Sequence, residues 1–505
     1  MVMIIESLCH GAWATTTPII QVVPDVNHLQ KWDDMAGDTA DPFWADDGNL
    51  YHFSCDGRGF GKESRNLCFN LLSGSDLADS KGKLVNSMDE YGVAGAAAGP
   101  DGSNWKVCGQ ECIDGVFYAF VACNQYGDKS KDPLLRQTSI NSSLIKSGDH
   151  GVTWTRSARE NYANPMWPGS RFGAPGFFHY GQNGGRITWD NADQFVYALS
   201  NNGFWNGGDD LILGRVRRSQ LPKLEVADWT YYTGGNGLAD SSWSGKLAKA
   251  QPILSLPAKL GWTSPAFIPA LNRYLLVSWY LTPTLKKWFE PGLMTYDFYE
   301  AAHPWGPWTF VSSFNDRFLS PEGHMYGPNL CAKFQKASGQ DVSISLFTSG
   351  CPFQDERSGL YKLWRIPLVL KTQAQSHTTM VNDDHPSIRY QGAWQVSEKR
   401  GFHDFADDVH VSKTPGDSAE FRFTGTGVEW LSERYHDEGR AEISLDGQPP
   451  GTVELKVEDF PRLAQIPVFS VQGLSPGSHT LRIVNPSTNY LIIDAFAVTV
   501  GAAQH

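Results

Sequence analysis

The feature that most constrains this chain is a rhythm of short strands with almost no helical periodicity. Over roughly the first 370 residues, alternating apolar runs bounded by Gly, Pro, Asn and Asp recur again and again. The rhythm is plainest in residues 37–56, GDTADPFWADDGNLYHFSCD. An apolar segment leads to a tight Asp46-Asp47-Gly48-Asn49 turn and returns on Leu50, Tyr51, His52 and Phe53. This predicts a β-hairpin. The same order returns in about five units. The first continues into residues 66–72. The second holds 105–112, 116–121 and 143–147; the third 172–180, 195–199 and 211–216. The fourth holds 264–268, 274–280, 293–297 and 308–311, and the fifth 328–334, 342–347 and 360–366. Three or four strands in one order, repeated, is the pattern of propeller blades. Residues 234–260 leave room for further strands, so six or seven units stay open.

Residues 147–154, SGDHGVTW, match the pattern S-x-D-x-G-x-T-W. They resemble the Asp-box of sialidase-like propellers, whose Asp and Gly close a hairpin over a packed Trp. That role is structural and sets Asp149 and His150 aside as catalytic candidates.

Beyond a Gln-, Ser-, Thr-, Asn- and Asp-rich stretch, strand signals recur at 388–390, 419–423, 428–431, 441–445, 479–484 and 491–498, with an Asp446-Gly447 turn. Short, numerous strands favour a β-sandwich. The text around TGTGVEW (424–430) and SLDG (444–447) resembles the jelly-roll accessory modules of carbohydrate-active enzymes. The expected fold class is therefore all-β: a five-bladed β-propeller over residues 15–372, a linker over 373–386, and a β-sandwich (jelly-roll) domain over 387–500.

Composition narrows the partners. Formal charge is 42 minus 54, or −12, with no long basic run, which disfavours nucleic acid and anionic membranes. No apolar run approaches the length of a membrane span. Eighteen Trp, eighteen Tyr and twenty-seven Phe supply faces that can stack on sugar rings, although any one Trp is more often core. Local cysteine groups, Cys55/Cys68, Cys108/Cys112/Cys123 and Cys331/Cys351, are compatible with disulfides, and with the sequon at Asn141 they point to a secreted protein. A monomer is expected. No cofactor is called for; acidic residues at Asp33, Asp34 and Asp38 would suit a structural calcium, although no calcium-loop spacing is present.

Candidate chemistry follows from where propeller strands converge. Glycosidic cleavage needs one carboxyl kept protonated and one ionised. In the opening hairpin, Asp41 lies at the start of the first strand and Asp56 just past the second, so both could share one rim. The motif Ala40-Asp41-Pro42-Phe43, followed by Asp47-Gly48-Asn49-Leu50-Tyr51, resembles the first-blade motif of five-bladed arabinanase-, xylosidase- and fructosidase-type hydrolases. A broader resemblance, to propeller endo-D-arabinanases, covers roughly residues 35–370 and includes Trp305-Gly306-Pro307-Trp308-Thr309. It implies that Asp41 and Asp56 are the catalytic pair, while the third-blade acid of the arabinanase pattern is not evident. Glu322, in the irregular loop 320–329, is the rival acid. His52, Arg171, Trp205, Asp210, Trp288, His324 and Tyr326 are the candidate substrate-binding residues. Two other readings stay open. A uronate lyase would use Arg171 to neutralise the sugar carboxylate and His52, His324 or Tyr326 to move protons; a non-catalytic lectin would form no product.

Overall fold

The computed structural model describes residues 19–74, 79–125, 137–281, 294–316, 324–338, 341–351, 359–372, 377–402, 404–457 and 462–500. The described elements are overwhelmingly strands, so the chain is all-β. It divides into two compact units, Met1–Gln373 and Ala374–His505. No described helix is long and apolar enough to cross a membrane.

The first unit contains five antiparallel sheets, taken here in chain order. The first runs from Ala36–Asp38 and Phe43–Trp44 through Leu50–Gly59 and Arg65–Ser73 to Lys81–Asn86. The second is Asn104–Ile113, Val116–Gln125 and Thr138–Ser147. The third starts at Ala174–Phe177 and the fourth at Ala266–Ile268. The fifth starts at His324–Ser338 and ends on Ile19–Pro24, so a strand from the beginning of the unit completes the last sheet. The segment 234–260 does carry strands, Trp243–Ser244 and Pro252–Leu260, but both belong to the third sheet.

The first strands touch in a closed circuit. Phe43–Trp44 lies against Asn104–Ile113, which lies against Ala174–Phe177. His179 N donates to Pro265 O at 2.8 Å, joining the third sheet to the fourth. Ala266–Ile268 lies against His324–Ser338, which returns to Phe43–Trp44. At the centre the backbones are nearly in contact: a Cβ on Gly109 would stand 2.5 Å from Gly176 Cα, and one on Gly176 would stand 2.1 Å from Thr263 O. Only glycine fits such an approach. Between the sheets lie aromatic cores, such as Phe43, Phe69 and Phe117, with Phe43 and Phe117 edge-on at 4.9 Å.

The 147–154 motif forms the closure that its sequence implies. Asp149 accepts from Thr153 N at 2.9 Å and from Thr153 Oγ1 at 2.6 Å, while Gly151 N donates to Ser147 Oγ at 2.8 Å. Trp154 packs against Phe53 and Phe69 with ring centroids 5.1 Å from each. Asp149 is thus consumed by its own turn.

The cysteines depart from expectation. Cys55, Cys68, Cys108, Cys112, Cys123 and Cys331 are free buried thiols. Register explains it: Cys68 lies opposite Ser54, so its neighbour Cys55 points to the other face of the sheet. Cys331 pairs with Ser345 while Cys351 pairs with His324, far along the same ladder.

In the second unit, a seven-stranded and a three-stranded antiparallel sheet enclose Phe421, Trp430, Ile443, Leu481 and Phe496. The segment expected to be a linker contributes a strand, His377–Asn382, paired with Ala495–Val500. The runs 419–423 and 428–431 belong to one strand, Ser418–Arg434, whose register shifts between Gly425 and Gly427. Gly425 is needed because a Cβ there would meet Thr499 O at 2.4 Å. Gly425 is therefore a point of close packing. Buried Glu433 binds both Arg400 and Arg462, and nearby Glu438 has its carboxyl pushed up to about 9 by burial and then by the Glu433 charge.

Candidate active site

Two groups of carboxylates occupy the first unit, and one segment supplies both. Asp38 pairs with Cys55 and Phe43 pairs with Tyr51, so Asp41 falls near the level of Phe53. At about 3.3 Å per residue this sets Asp41 roughly 10 Å along the strand from Asp56. The expected pairing of Asp41 and Asp56 at one rim is therefore replaced: the carboxylate beside Asp56 is Asp38.

The deeper group is closed to solvent. Asp41 is fully buried, with Oδ1 accepting from His179 Nε2 at 2.9 Å and Oδ2 from Ser264 Oγ at 2.7 Å. His179 Nδ1 donates to Glu111 Oε2 at 2.7 Å, and Glu111 Oε1 accepts from Cys112 N at 2.8 Å. Asn329 completes the circle by accepting from Ser264 N at 3.0 Å. A side chain in or next to a first strand of each of the five sheets thus joins the group. Burial opposes charge on His179, but the carboxylates of Asp41 and Glu111 outweigh it and push its pKa up to about 10. Burial raises Glu111, with the imidazolium opposing.

The upper group lies three residues back along the same segment, where the first strands begin. Asp56 sits opposite the register shift between Ala36 and Asp38, at φ +49°, and ion-pairs with Lys106 of the second sheet. Bulges of this kind re-aim side chains beside functional sites. The Tyr326 hydroxyl donates to Asp38 Oδ2 at 2.6 Å, and the Tyr361 hydroxyl donates to the Asp56 carbonyl at 3.1 Å. Asp38 is 6% exposed. Burial raises its pKa, and the Asp56 charge adds to the effect; Lys106 and the Tyr326 hydroxyl pull the other way. Beside the group, Trp262 stacks on Trp205 with centroids 4.7 Å apart and planes at 12°. A Cβ on Gly327 would lie 3.9 Å from Trp262 and 4.0 Å from Thr39. Chemically, this is a buried acid with a raised pKa beside an ion-paired carboxylate, next to the buried Trp262–Trp205 stack.

The other sequence candidates scatter. Trp205 is buried in its stack, and Asp210 accepts from Ser255 Oγ at 2.6 Å. Arg171 donates to Leu247 O at 3.2 Å and Ala250 O at 2.8 Å, clamping a loop. His52 is fully buried; burial pushes its pKa down to about 4 although Nδ1 donates to Phe53 O at 3.0 Å. Glu322 and Trp288 lie outside the described residues, as does the His324 side chain. Among the described residues no group of three or more His, Cys, Asp or Glu is arranged to hold a metal ion.

No family model matches the chain. A stretch of 104 residues, 21% of the chain, is 33% identical to the A type blood N-acetyl-α-D-galactosamine deacetylase of Flavonifractor plautii, over 13% of that protein. A stretch of 119 residues, 24% of the chain, is 29% identical to the A type blood α-D-galactosamine galactosaminidase of the same organism, over 10% of it. The chain thus spans about a tenth of the length of the curated relatives it matches. The exo-β-1,3-galactanase of Phanerochaete chrysosporium superposes with a TM-score of 0.36 at 11% identity, over 95% of this chain and all of that one.

Proposed function

We propose that the first unit is a five-bladed propeller glycoside hydrolase and the second a jelly-roll accessory module, and that the reaction is carried by Asp38 and Asp56. The observation that carries this reading is the coupled pair itself: one carboxyl raised by burial and by its neighbour's charge, the other held against an ammonium. Asp38 gives its proton to the glycosidic oxygen as the bond from that oxygen to the anomeric carbon breaks. Asp56 supplies an electron pair to that carbon, directly or through a water whose proton it takes. Tyr326 orients Asp38, Lys106 orients Asp56, and Asp41 holds the five first strands together beneath them. The substrate is an arabinan- or arabinogalactan-like polysaccharide. The two short stretches shared with proteins named for galactosamine chemistry add galactosamine-bearing glycans to the panel.

The test is product analysis in heavy-oxygen water with arabinans, arabinogalactans, gum arabic and galactosamine-terminated oligosaccharides, using wild type, Asp38→Asn and Asp56→Asn. Saturated sugars carrying the label, lost in both variants, are expected. Unsaturated unlabelled ends would make the protein a lyase, and binding without product would make it a lectin.

A further inference from the structure

The first unit carries an open groove of about 500 Å³, a volume in the range of small-ligand sites. Its floor is the small-residue run 97–100, on which the Tyr162 ring lies: a Cβ on Gly99 would stand 1.9 Å from a ring carbon. Behind it, Tyr91 and Trp105 meet edge to face at 5.3 Å, and Asn161 Nδ2 donates to the Tyr91 hydroxyl at 3.0 Å, so this wall is rigid. Exposed Glu90 and Arg159 stand at the rim. The groove's Trp105 immediately precedes Lys106 at the start of Asn104–Ile113. Alternation turns consecutive side chains to opposite faces, so one strand presents Trp105 to the groove and Lys106 to Asp56.

We propose that this groove is a remote subsite for an uncharged sugar unit of the glycan whose scissile bond lies at Asp38 and Asp56; the inference rests on the hydrolase reading. The half-buried Tyr162 ring, backed by Gly99, suits the apolar face of a sugar. One acid and one base at the rim offer an acceptor and a donor to hydroxyls while leaving the rim neutral. The chain's net charge of −12 further disfavours an anionic occupant.

The experiment uses a ladder of arabino-oligosaccharides of two to six units with the full chain, Tyr162→Ala, Gly99→Ala and the surface variant Arg159→Ala. Gly99→Ala is included because its methyl group displaces the Tyr162 ring without removing it. The expected result is a KM about tenfold higher for the longest members in the first two variants. Arg159→Ala should give a smaller rise in KM. In all three variants, kcat and the handling of the disaccharide stay at wild-type values. Chain-length profiles identical to wild type in all three would overturn the subsite while leaving the hydrolase intact. If wild type cleaves no member, the arabinan substrate falls and calorimetric titration of the same ladder decides the groove. Binding weakened by Tyr162→Ala supports it; binding that is absent or unchanged overturns it. Uptake of an apolar fluorescent probe that no sugar displaces would assign the groove to an apolar ligand and overturn it as well.

Discussion

Asp38 and Asp41 come from one segment, three residues apart, and have opposite surroundings. Asp41 has His179, Ser264 and the Gln110 amide for partners, and the imidazolium balances its charge. Asp38 has a like-charged neighbour in Asp56 and a raised pKa. Both Asp41 oxygens are committed to hydrogen bonds inside the fold, which leaves neither to meet a substrate. A buried carboxyl whose charge is opposed is the one poised to exchange a proton. Depth along one segment separates the joint that holds the sheets from the proposed chemistry at their ends.

The largest effects should divide along that line. Asp38→Asn and Asp56→Asn are each expected to lower kcat/KM by about 10²–10⁴-fold in initial rates, with urea denaturation checking that each variant is folded. A folded Asp41→Asn protein losing as much activity, with Asp56→Asn unaffected, would reverse the two roles. Next comes His179→Gln, which leaves two buried carboxylates without their cation and should cost about 3–5 kcal/mol in urea unfolding. A loss below about 1 kcal/mol would show that the network holds little.

The two groups also differ in pH. The folded His179 pKa, about 10, lies above its ordinary 6.5. Its stabilisation is complete below pH 6.5 and lost as pH climbs through 10, a loss that His179→Gln should lack. With Asp38 as the proposed acid, activity should persist above the usual carboxylate range and fall as pH passes its raised pKa. Tyr326→Phe removes a hydroxyl that lowers that pKa. It should shift the alkaline limb of kcat/KM further up and reduce kcat about tenfold. The smallest effect is on the thiols around both groups: reductant should leave the unfolding midpoint where it was, since Cys55, Cys68, Cys108, Cys112, Cys123 and Cys331 are free thiols.

The strand rhythm was legible because each strand is short, apolar and closed by a turn residue, which is local information. The Asp149 box was legible for the same reason. Register was not. Nothing local in residues 37–56 reveals that a bulge opposite Ala36–Asp38 brings Asp56 level with Asp38 and not with Asp41. Lys106 was missed because a lysine starting a strand reads as a solvated edge. His179 was missed because its partners, Asp41 and Glu111, lie 138 and 68 residues away. Of the residues the sequence singled out, Asp41, Asp56 and Tyr326 lie in one group or the other, while Arg171 clamps a loop elsewhere.

The strand Ile19–Pro24 finishes the fifth sheet by pairing with Leu363–Thr372. During synthesis it emerges before Leu363–Thr372 and must wait for that partner, about half a minute at roughly 10 residues per second. Until then its backbone donors are an open edge, exposed to any strand that arrives sooner. Early release of a shortened chain would leave four finished sheets and a fifth without its ladder. The quality of this protein in a cell is therefore decided at the end of its first unit's translation, when its two distant ends meet.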